Sequence, residues 1–261
     1  MILIERIPDM PDIYKCEIIS NKRLNPSVFA ISVDCRELAG TAAAGQFLNI
    51  KCGAERLLRR PVSICRVSGN TVEIVFEAKG TGTKWLSERR RGCMLDILGP
   101  LGNGFTVPDG RVIVAGGGIG TPPLLYAAQS AKGGADAVLG FRSADNIILK
   151  DAFDEVCGRV VIATDDGSSG VQGSVITPLE DLMKSGNYVS VLSCGPRAML
   201  KAVAELCVRY TMHCQVSLEE RMGCGVGACL VCACATLTDD EDRMSRVCAD
   251  GPVFDAAEVI W

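Results

Sequence analysis

The pattern of apolar and polar residues changes character near residue 108. From residue 12 to about 107, short β-branched or alternating runs are separated by turn residues. In the run Thr71–Phe76, the side chains of Val72, Ile74 and Phe76 fall on one side of an alternating strand. Further strands are predicted at Val28–Val33, Phe47–Cys52 and Met94–Leu98. Many short strands with regular breaks are typical of a barrel or a sandwich.

After the turn at residues 108–110, apolar strands alternate with helical segments. The strands are predicted at Arg111–Ala115, Ala135–Phe141, Arg159–Thr164 and Tyr188–Ser193. The helices are predicted near Pro122–Ala131, Val175–Ser185 and Arg197–Tyr210. This alternation predicts an α/β domain with a doubly wound parallel sheet. The sequence therefore divides into a β domain at 1–107, an α/β domain at 108–213 and a small module at 214–261.

Composition narrows the class of protein. A chain of 261 residues has room for two domains and a small module. The net charge of −4 argues against nucleic-acid binding. The longest apolar stretch, Val112–Ala128, is interrupted by four glycines and two prolines, so no membrane span is expected. The N-terminus lacks the features of a secretory signal, and 14 cysteines suit a reducing cytoplasm.

The most specific motif is a run of cysteines near the C-terminus. Its spacing is C-x4-C-x2-C, and a fourth cysteine follows after fifteen residues. This is the ligand spacing of a plant-type [2Fe–2S] cluster, which transfers single electrons. Glycines between the cysteines give the loop the backbone freedom to wrap around such a cluster. The predicted cluster ligands are Cys224, Cys229, Cys232 and Cys248.

Other interpretations of the cysteine run fit less well. A structural zinc site favours two C-x2-C pairs or mixtures with histidine, whereas the only histidine, His213, lies outside the run. Disulfides are disfavoured in a chain without a secretory segment. Buried cysteines without a ligand role rarely show this spacing. Cys234 falls outside the frame and is predicted not to be a ligand.

Two glycine-containing turns in the α/β domain are candidates for nucleotide binding. Residues 116–120 read G-G-G-I-G between a strand and a helix, where backbone N–H groups can face a pyrophosphate. Residues 194–196 read C-G-P after another strand, at the strand end where open α/β sheets bind ligands. An ordinary tight turn explains either motif taken alone. The first turn favours nucleotide binding only modestly, and the second alone favours the ordinary turn.

The β domain has two further candidate motifs. R-P-V-S occupies residues 60–63, and G-T-G-T occupies residues 80–83. A phosphate would explain Arg60, because a guanidinium group donates two parallel hydrogen bonds to phosphate oxygens. Backbone N–H groups at Gly82 and Thr83 add a candidate anion site. An edge strand with proline followed by an ordinary turn explains the same residues equally well.

The order of these motifs resembles the ferredoxin–NADP reductase superfamily along the whole chain. Within it, the chain is similar to the family of electron-transfer subunits of dihydroorotate dehydrogenase B. The C-terminal cysteine run and the short spacer before Cys248 carry this closer likeness. So do Val62, where related reductases have an aromatic residue, and the segment Thr164–Ser168. With an aromatic absent at Val62, one face of the flavin is expected to be less covered.

The resemblance implies an N-terminal antiparallel β-barrel domain that binds FAD, followed by a nucleotide domain that binds NAD. The implied FAD residues are Arg60, Pro61, Val62, Ser63, Val75, Phe76, Glu77, Gly82 and Thr83. The implied NAD residues are Gly116, Gly117, Gly118, Ile119, Gly120, Cys194, Gly195 and Pro196. Arg60 would contact the FAD phosphates, Ser63 the isoalloxazine, and Cys194 the nicotinamide.

The resemblance also implies an oxidoreductase subunit in de novo pyrimidine biosynthesis. Dihydroorotate would be oxidised on a separate FMN-containing catalytic subunit. Electrons would then pass through [2Fe–2S] and FAD to NAD⁺. The implied assembly is a heterotetramer of two copies of each subunit. No general base is expected in this chain, because the cofactors supply the chemistry.

Three alternatives stay open from the sequence. The first is the small flavin and [2Fe–2S] subunit of an NADH-dependent ferredoxin–NADP reductase or of a sulfhydrogenase complex. The second is a non-catalytic interaction protein with zinc on the cysteines. The third is NADP instead of NAD as the nucleotide. Arg142 follows a predicted strand and could contact the 2′-phosphate of NADP.

Overall fold

A computed structural model describes residues 11–238 and 241–261. Six strands form the first domain: β1 (Ile13–Arg23), β2 (Val28–Asp34), β3 (Phe47–Ile50), β4 (Arg60–Ser68), β5 (Thr71–Glu77) and β6 (Met94–Leu101). They close into an antiparallel barrel in the order β1-β2-β5-β4-β3-β6. Two short helices, α1 (Arg36–Thr41) and α2 (Thr81–Ser87), connect barrel strands. The predicted β domain is therefore a closed barrel, which leaves no unpaired sheet edge.

The alternation predicted for β5 is confirmed. Val72, Ile74 and Phe76 are buried together in the barrel interior. Val75, on the opposite face of the same strand, is also buried, but it packs against the second domain. The barrel wall is thus apolar on both sides where the two domains meet.

The second domain is built on a seven-stranded sheet. Its strands are β7 (Val112–Gly117), β8 (Ala135–Phe141), β9 (Arg159–Thr164), β10 (Val171–Gln172), β11 (Ser190–Cys194), β12 (His213–Ser217) and β15 (Val253–Asp255). The spatial order is β10-β9-β8-β7-β11-β12-β15, and only β15 runs antiparallel to its neighbour. The order reverses between β7 and β11, and ligands bind at such switch points in open α/β sheets.

Helices cover both faces of this sheet, which confirms the doubly wound prediction. They are α3 (Pro122–Ser130), α4 (Lys150–Val156), α5 (Ile176–Ser185) and α6 (Arg197–Arg209). The first two pack on the face that contains Val112 and Val114. The last two pack on the face that contains Ile113 and Ala115. Because both faces are buried, β7 is apolar at every position instead of alternating.

The C-terminal segment is divided between the sheet and a separate hairpin. The hairpin consists of β13 (Ala233–Thr238) and β14 (Glu241–Arg246), paired antiparallel. The boundary that the sequence suggested at 213/214 falls inside β12. His213 begins that strand, and its ring lies 3.0 Å from both Ser190 Oγ and Asp255 Oδ2. His213 therefore links three adjacent strands of the sheet.

Within residues 11–238 and 241–261, none of the helices combines the length and the apolar composition that crossing a membrane would require. All 14 cysteines lie in these residues as free thiols.

Candidate functional site

The cysteine run forms a loop between β12 and β13 whose backbone takes unusual conformations. Gly225 and Gly227 have φ values of +78° and +80°, and Leu230 has a φ of +59°. This left-handed region favours glycine, so the glycines of the run are required by the path of the chain. At Gly223 the limit is space, because an added Cβ would lie 3.0 Å from Cys229 Sγ. Together these residues let the loop curve around its own sulfur atoms.

Each of the four predicted ligand sulfurs accepts a backbone N–H group. Cys224 N–H donates to Cys229 Sγ at 3.4 Å, and Val226 N–H donates to Cys224 Sγ at 3.4 Å. Gly227 N–H donates to Cys248 Sγ at 3.1 Å, and Cys248 N–H donates to Cys232 Sγ at 3.4 Å. Such hydrogen bonds stabilise negative charge on sulfur and tune the potential of an iron–sulfur cluster.

The four cysteines form two pairs. Cys224 is joined to Cys229 by its N–H group, which donates to Cys229 Sγ, and Cys248 is joined to Cys232 in the same way. Among the described residues, no three metal-binding side chains converge on one point as a mononuclear site requires. Two thiolate pairs and backbone donors to every sulfur fit a two-iron cluster, which these residues would hold.

The electrostatics of the two pairs differ. Burial opposes ionisation of Cys224, but hydrogen bonds from the backbone N–H groups of Val226 and Cys229 outweigh it and lower its pKa to about 6. Burial and the neighbouring Cys232 thiol raise the pKa of Cys248 to about 12. Binding of a metal must therefore displace a proton from the deeper pair.

An ion pair stabilises the turn that carries Cys248. The Arg246 guanidinium donates to both carboxylate oxygens of Asp250, at 2.9 and 2.8 Å. Its third nitrogen donates to the carbonyl of Gly227 at 3.3 Å, which ties this turn to the cysteine loop. Cys234 lies on β13 opposite Ser245 and is buried in the core, where burial raises its pKa.

In the barrel, the predicted flavin residues of β4 and α2 lie together. Arg60 Nη1 donates to the carbonyls of Leu58 and Arg59, at 2.7 and 3.1 Å. Its side chain crosses the first turn of α2 so closely that a Cβ on Gly82 would lie 2.5 Å from Arg60 Nε. Thr83 accepts a hydrogen bond from Gly80 N–H at 3.1 Å and so fixes that turn. A guanidinium above backbone N–H groups suits a phosphate, so these residues fit the FAD diphosphate.

The other predicted flavin residues divide between the two sides of the barrel wall. Val62 and Phe76 pack in the barrel interior, and the Phe76 ring stacks on Phe29 with centroids 6.2 Å apart. Their side chains fill the core, so the backbone is what they present outside the barrel. Pro61, Ser63 and Glu77 are half-buried.

The two glycine-containing turns of the nucleotide domain lie side by side. Gly116 of β7 and Cys194 of β11 are directly paired. A Cβ on Gly120 would lie 2.6 Å from the Cys194 carbonyl oxygen, and one on Gly117 would lie 2.6 Å from Met199 Sδ. Thr121, which follows the turn, is fully buried, and its Oγ1 has no hydrogen-bond partner among the described residues. Close backbone approach and a hydroxyl without a partner at the start of α3 fit a bound dinucleotide.

The barrel and the nucleotide turn are in contact. The turn formed by Gly118–Gly120 contacts β5, and α3 packs against β4. Tyr126 of α3 donates a hydrogen bond to the carbonyl of Ala42 at 2.9 Å. The predicted flavin strands and the predicted nucleotide turns therefore share one interface between the domains.

Two acidic residues that the sequence interpretation left without a role lie beside Arg142. The N–H group of Asp165 donates to the carbonyl of Phe141 at 3.0 Å, and that of Asp166 donates to the carbonyl of Arg142 at 3.3 Å. Hydrogen bonds from Ser168 lower the pKa of Asp166, so its carboxylate is ionised. These backbone contacts place Asp165 and Asp166 at the carboxyl end of β9, next to the end of β8 that Arg142 follows. In the sequence, two acidic residues directly after the strand Arg159–Thr164 are the feature that could have drawn attention to this position.

Asn49 is a third residue that the sequence interpretation left without a role. Its side chain is 1% exposed and contacts the cysteine loop. Asn49 is the single polar residue of the apolar strand Phe47–Ile50, and this feature of the sequence could have indicated it.

We expect Gly120→Ala to weaken nucleotide binding about 10- to 100-fold. The added methyl would meet the backbone of Cys194 and Gly195 at 2.6 Å and force the two turns apart. Steady-state kinetics with NADH and ferricyanide give the Michaelis constant for NADH. Gly40→Ala is the matched control, because its Cβ would enter open space. An unchanged Michaelis constant in Gly120→Ala would contradict the assignment of this turn.

Comparison with known proteins agrees with this geometry. The family model for the iron–sulfur cluster binding domain of dihydroorotate dehydrogenase B matches residues 219–260. The dihydroorotate dehydrogenase B (NAD(+)) electron transfer subunit of Caldanaerobacter subterraneus subsp. tengcongensis is 39% identical over 249 residues, covering 95% of this chain and 98% of the relative. That of Desulforamulus reducens is 36% identical, with 97% and 100% covered.

Solved structures show the same fold. A structure of an NADH-dependent reduced ferredoxin–NADP oxidoreductase superposes with a TM-score of 0.82 at 27% identity, covering 95% of this chain and 90% of that chain. A ferredoxin NADP⁺ reductase from Neisseria gonorrhoeae with bound FAD and NADP gives a TM-score of 0.63 at 17% identity, with 76% and 91% covered. The identities of 39% and 36% to the electron transfer subunits exceed the 27% to the NADH-dependent oxidoreductase. They favour the dihydroorotate dehydrogenase B family over the reductase alternative.

Proposed function

The chain belongs to the family of electron-transfer subunits of dihydroorotate dehydrogenase B, and on that basis we propose that it passes electrons from a catalytic partner subunit to NAD⁺. The partner oxidises dihydroorotate in pyrimidine biosynthesis. When bound, FAD exchanges a hydride with NAD and single electrons with the [2Fe–2S] cluster. The structural observation that carries this proposal is the contiguity of the three sites. The nucleotide turn contacts β5 of the barrel, and β3, paired with β4, contacts the cysteine loop through Asn49.

The residues of this chain have binding and positioning roles. Cys224, Cys229, Cys232 and Cys248 hold the cluster, and Arg60 with the first turn of α2 holds the FAD phosphates. The residues from Gly116 to Gly120 and from Cys194 to Pro196 hold NAD. Burial raises the pKa of the Cys194 thiol to about 12, so it stays protonated beside the nicotinamide. The relatives, which are named as NAD(+) enzymes, support NAD instead of NADP as the nucleotide.

The cysteine loop is the side of the molecule that we assign to the partner. Cys229 is exposed, and Val226, Leu230 and Val231 are exposed to 44%, 63% and 58%. Exposed apolar side chains grouped on one loop are typical of a protein interface. We infer that the partner contains FMN, that the cytoplasmic complex holds two copies of each subunit, and that this loop faces the partner.

Cofactor analysis of the purified full-length chain tests the proposal. A brown protein with flavin absorbance and two irons per chain is expected. A colourless protein that contains zinc would contradict it and would favour a non-catalytic metal-binding protein. Co-purification with a large ferredoxin-linked subunit, instead of a dihydroorotate-oxidising one, would favour the reductase alternative.

A further inference from the structure

Asn49 lies where the flavin side of the barrel meets the cysteine loop. It is buried in β3 and pairs with Pro61 of the R-P-V-S strand. Its Nδ2 donates to the main-chain carbonyl of Cys224 at 3.2 Å, across 175 positions of sequence. Asn49 therefore joins β3, the neighbour of the strand assigned to FAD, to the loop assigned to the cluster.

The contact between Asn49 and the loop leaves no spare room. A Cβ on Gly225 would lie 2.5 Å from Asn49 Nδ2, and Gly225 already has a φ of +78°. The next two residues carry the N–H groups that donate to Cys224 Sγ and Cys248 Sγ. The Cys224 carbonyl that Asn49 holds belongs to the peptide bond between Cys224 and Gly225. The next two peptide bonds along the chain supply the N–H groups that donate to the sulfurs.

The backbone of Asn49 is itself held in place. Arg59 Nη1 donates to the carbonyl of Asn49 at 3.2 Å, and Arg59 Nη2 forms an ion pair with Asp96 at 2.6 Å. Hydrogen bonds from Lys15 and Arg59 lower the pKa of Asp96 despite its desolvation, so this ion pair persists at neutral pH. The amide that reaches the loop therefore projects from a fixed part of the barrel.

Stability of the barrel alone does not explain an amide here. Its neighbours Leu48 and Ile50 are fully buried, and Asn49 Oδ1 is buried without a partner among the described residues. An unpartnered buried carbonyl destabilises the fold, because it loses its hydrogen bonds to water. A leucine of similar size would avoid that cost, so the amide serves the loop.

We propose that Asn49 is a positioning residue that sets the reduction potential of the cluster by holding the cysteine loop in its N–H-donating conformation. This inference rests on the proposed function, because it requires a cluster on the four cysteines. Hydrogen bonds to the sulfurs stabilise the more negative, reduced cluster. Loss of the Asn49 contact loosens those bonds and makes the reduced state less favourable.

The test is an EPR-monitored redox titration of the full-length chain purified with its cofactors. In Asn49→Leu, the ratio of reduced to oxidised cluster at a fixed potential is expected to fall about tenfold. For one electron, that change equals a midpoint 59 mV more negative. Asn21→Leu is the matched control, because Asn21 Nδ2 also donates to backbone carbonyls and its Oδ1 is also buried without a partner, but at the α2 end of the barrel.

An unchanged or more positive midpoint in Asn49→Leu would overturn the inference, as would an equal shift in Asn21→Leu.

Gly225→Ala breaks the same contact from the loop side and is expected to shift the midpoint in the same direction. Together the two changes should shift it no further than the larger single effect, and full additivity would contradict the inference. If the Asn49→Leu protein does not fold, an unchanged midpoint in Gly225→Ala would contradict the inference. A wild-type protein without a [2Fe–2S] signal would instead refute the proposed function.

Discussion

Cys229→Ala protein is expected to lose the [2Fe–2S] absorbance and to reduce NAD⁺ with dihydroorotate at least about 100-fold more slowly than the wild type when the partner is present. Cys229 pairs with Cys224, accepts a hydrogen bond from the Cys224 N–H group and is the exposed member of the pair. Loss of a group that only hydrogen-bonds to a metal ligand already lowers metal affinity or activity about 10- to 100-fold, and loss of the ligand itself costs more. Absorbance spectra and the rate of NADH formation measure the two effects.

The Cys229→Ala protein also tests the flavin and nucleotide sites independently of the cluster. Oxidation of NADH by ferricyanide requires the flavin and nucleotide sites but not the cluster, so its rate should stay close to that of the wild type. Cys234→Ala is the matched control, since Cys234 is a nearby buried cysteine on β13 outside the ligand frame. A Cys229→Ala protein that lacks the cluster yet keeps full dihydroorotate-dependent activity would refute the electron route. Loss of the cluster in Cys234→Ala would show that the ligand set is wrong.

Arg60→Ala protein is expected to bind FAD about 10- to 150-fold more weakly, because a charged hydrogen bond contributes about 1.5–3 kcal/mol. The Arg60 guanidinium is anchored by two backbone carbonyls and lies over Gly82 at the start of α2. The flavin content after gel filtration and the dissociation constant of FAD measure the effect. Arg60→Lys should recover only part of the affinity, because an ammonium group cannot donate two parallel hydrogen bonds.

The control for Arg60 lies on the same strand. Arg66 of β4 forms an ion pair with Glu73 at 3.2 Å. Arg66→Ala therefore removes the same kind of side chain away from α2 and should keep its FAD. Equal loss of FAD from both variants would indicate damage to the barrel instead of a lost phosphate contact.

Local patterns predicted the regular core well. The strands at Ala135–Phe141 and Arg159–Thr164 were predicted with their observed bounds, because their apolar runs are short and flanked by turn residues. Helices α3, α5 and α6 were also predicted. The hairpin of β13 and β14 was missed, since most of β14 is exposed and lacks an apolar face. Helix α4 was missed because it is a single short amphipathic segment.

The candidate site divides in the same way. The cysteine spacing is local, so the sequence alone could indicate a cluster. The role proposed for Asn49 depends on a partner that is distant in sequence. The flavin contact expected of Val62 stays a prediction, and the position of its side chain in the barrel core could not be read from the motif. Contacts between segments that are far apart in sequence cannot be read from spacing.

The most direct test of the central claim is reconstitution with the catalytic partner. The purified chain is mixed with the dihydroorotate-oxidising subunit, and NADH formation is followed at 340 nm after dihydroorotate and NAD⁺ are added. Dihydroorotate-dependent reduction of NAD⁺ that requires both proteins is the predicted result. NADH formation by the partner alone, or none from the mixture when this chain carries FAD and its cluster, would contradict the claim.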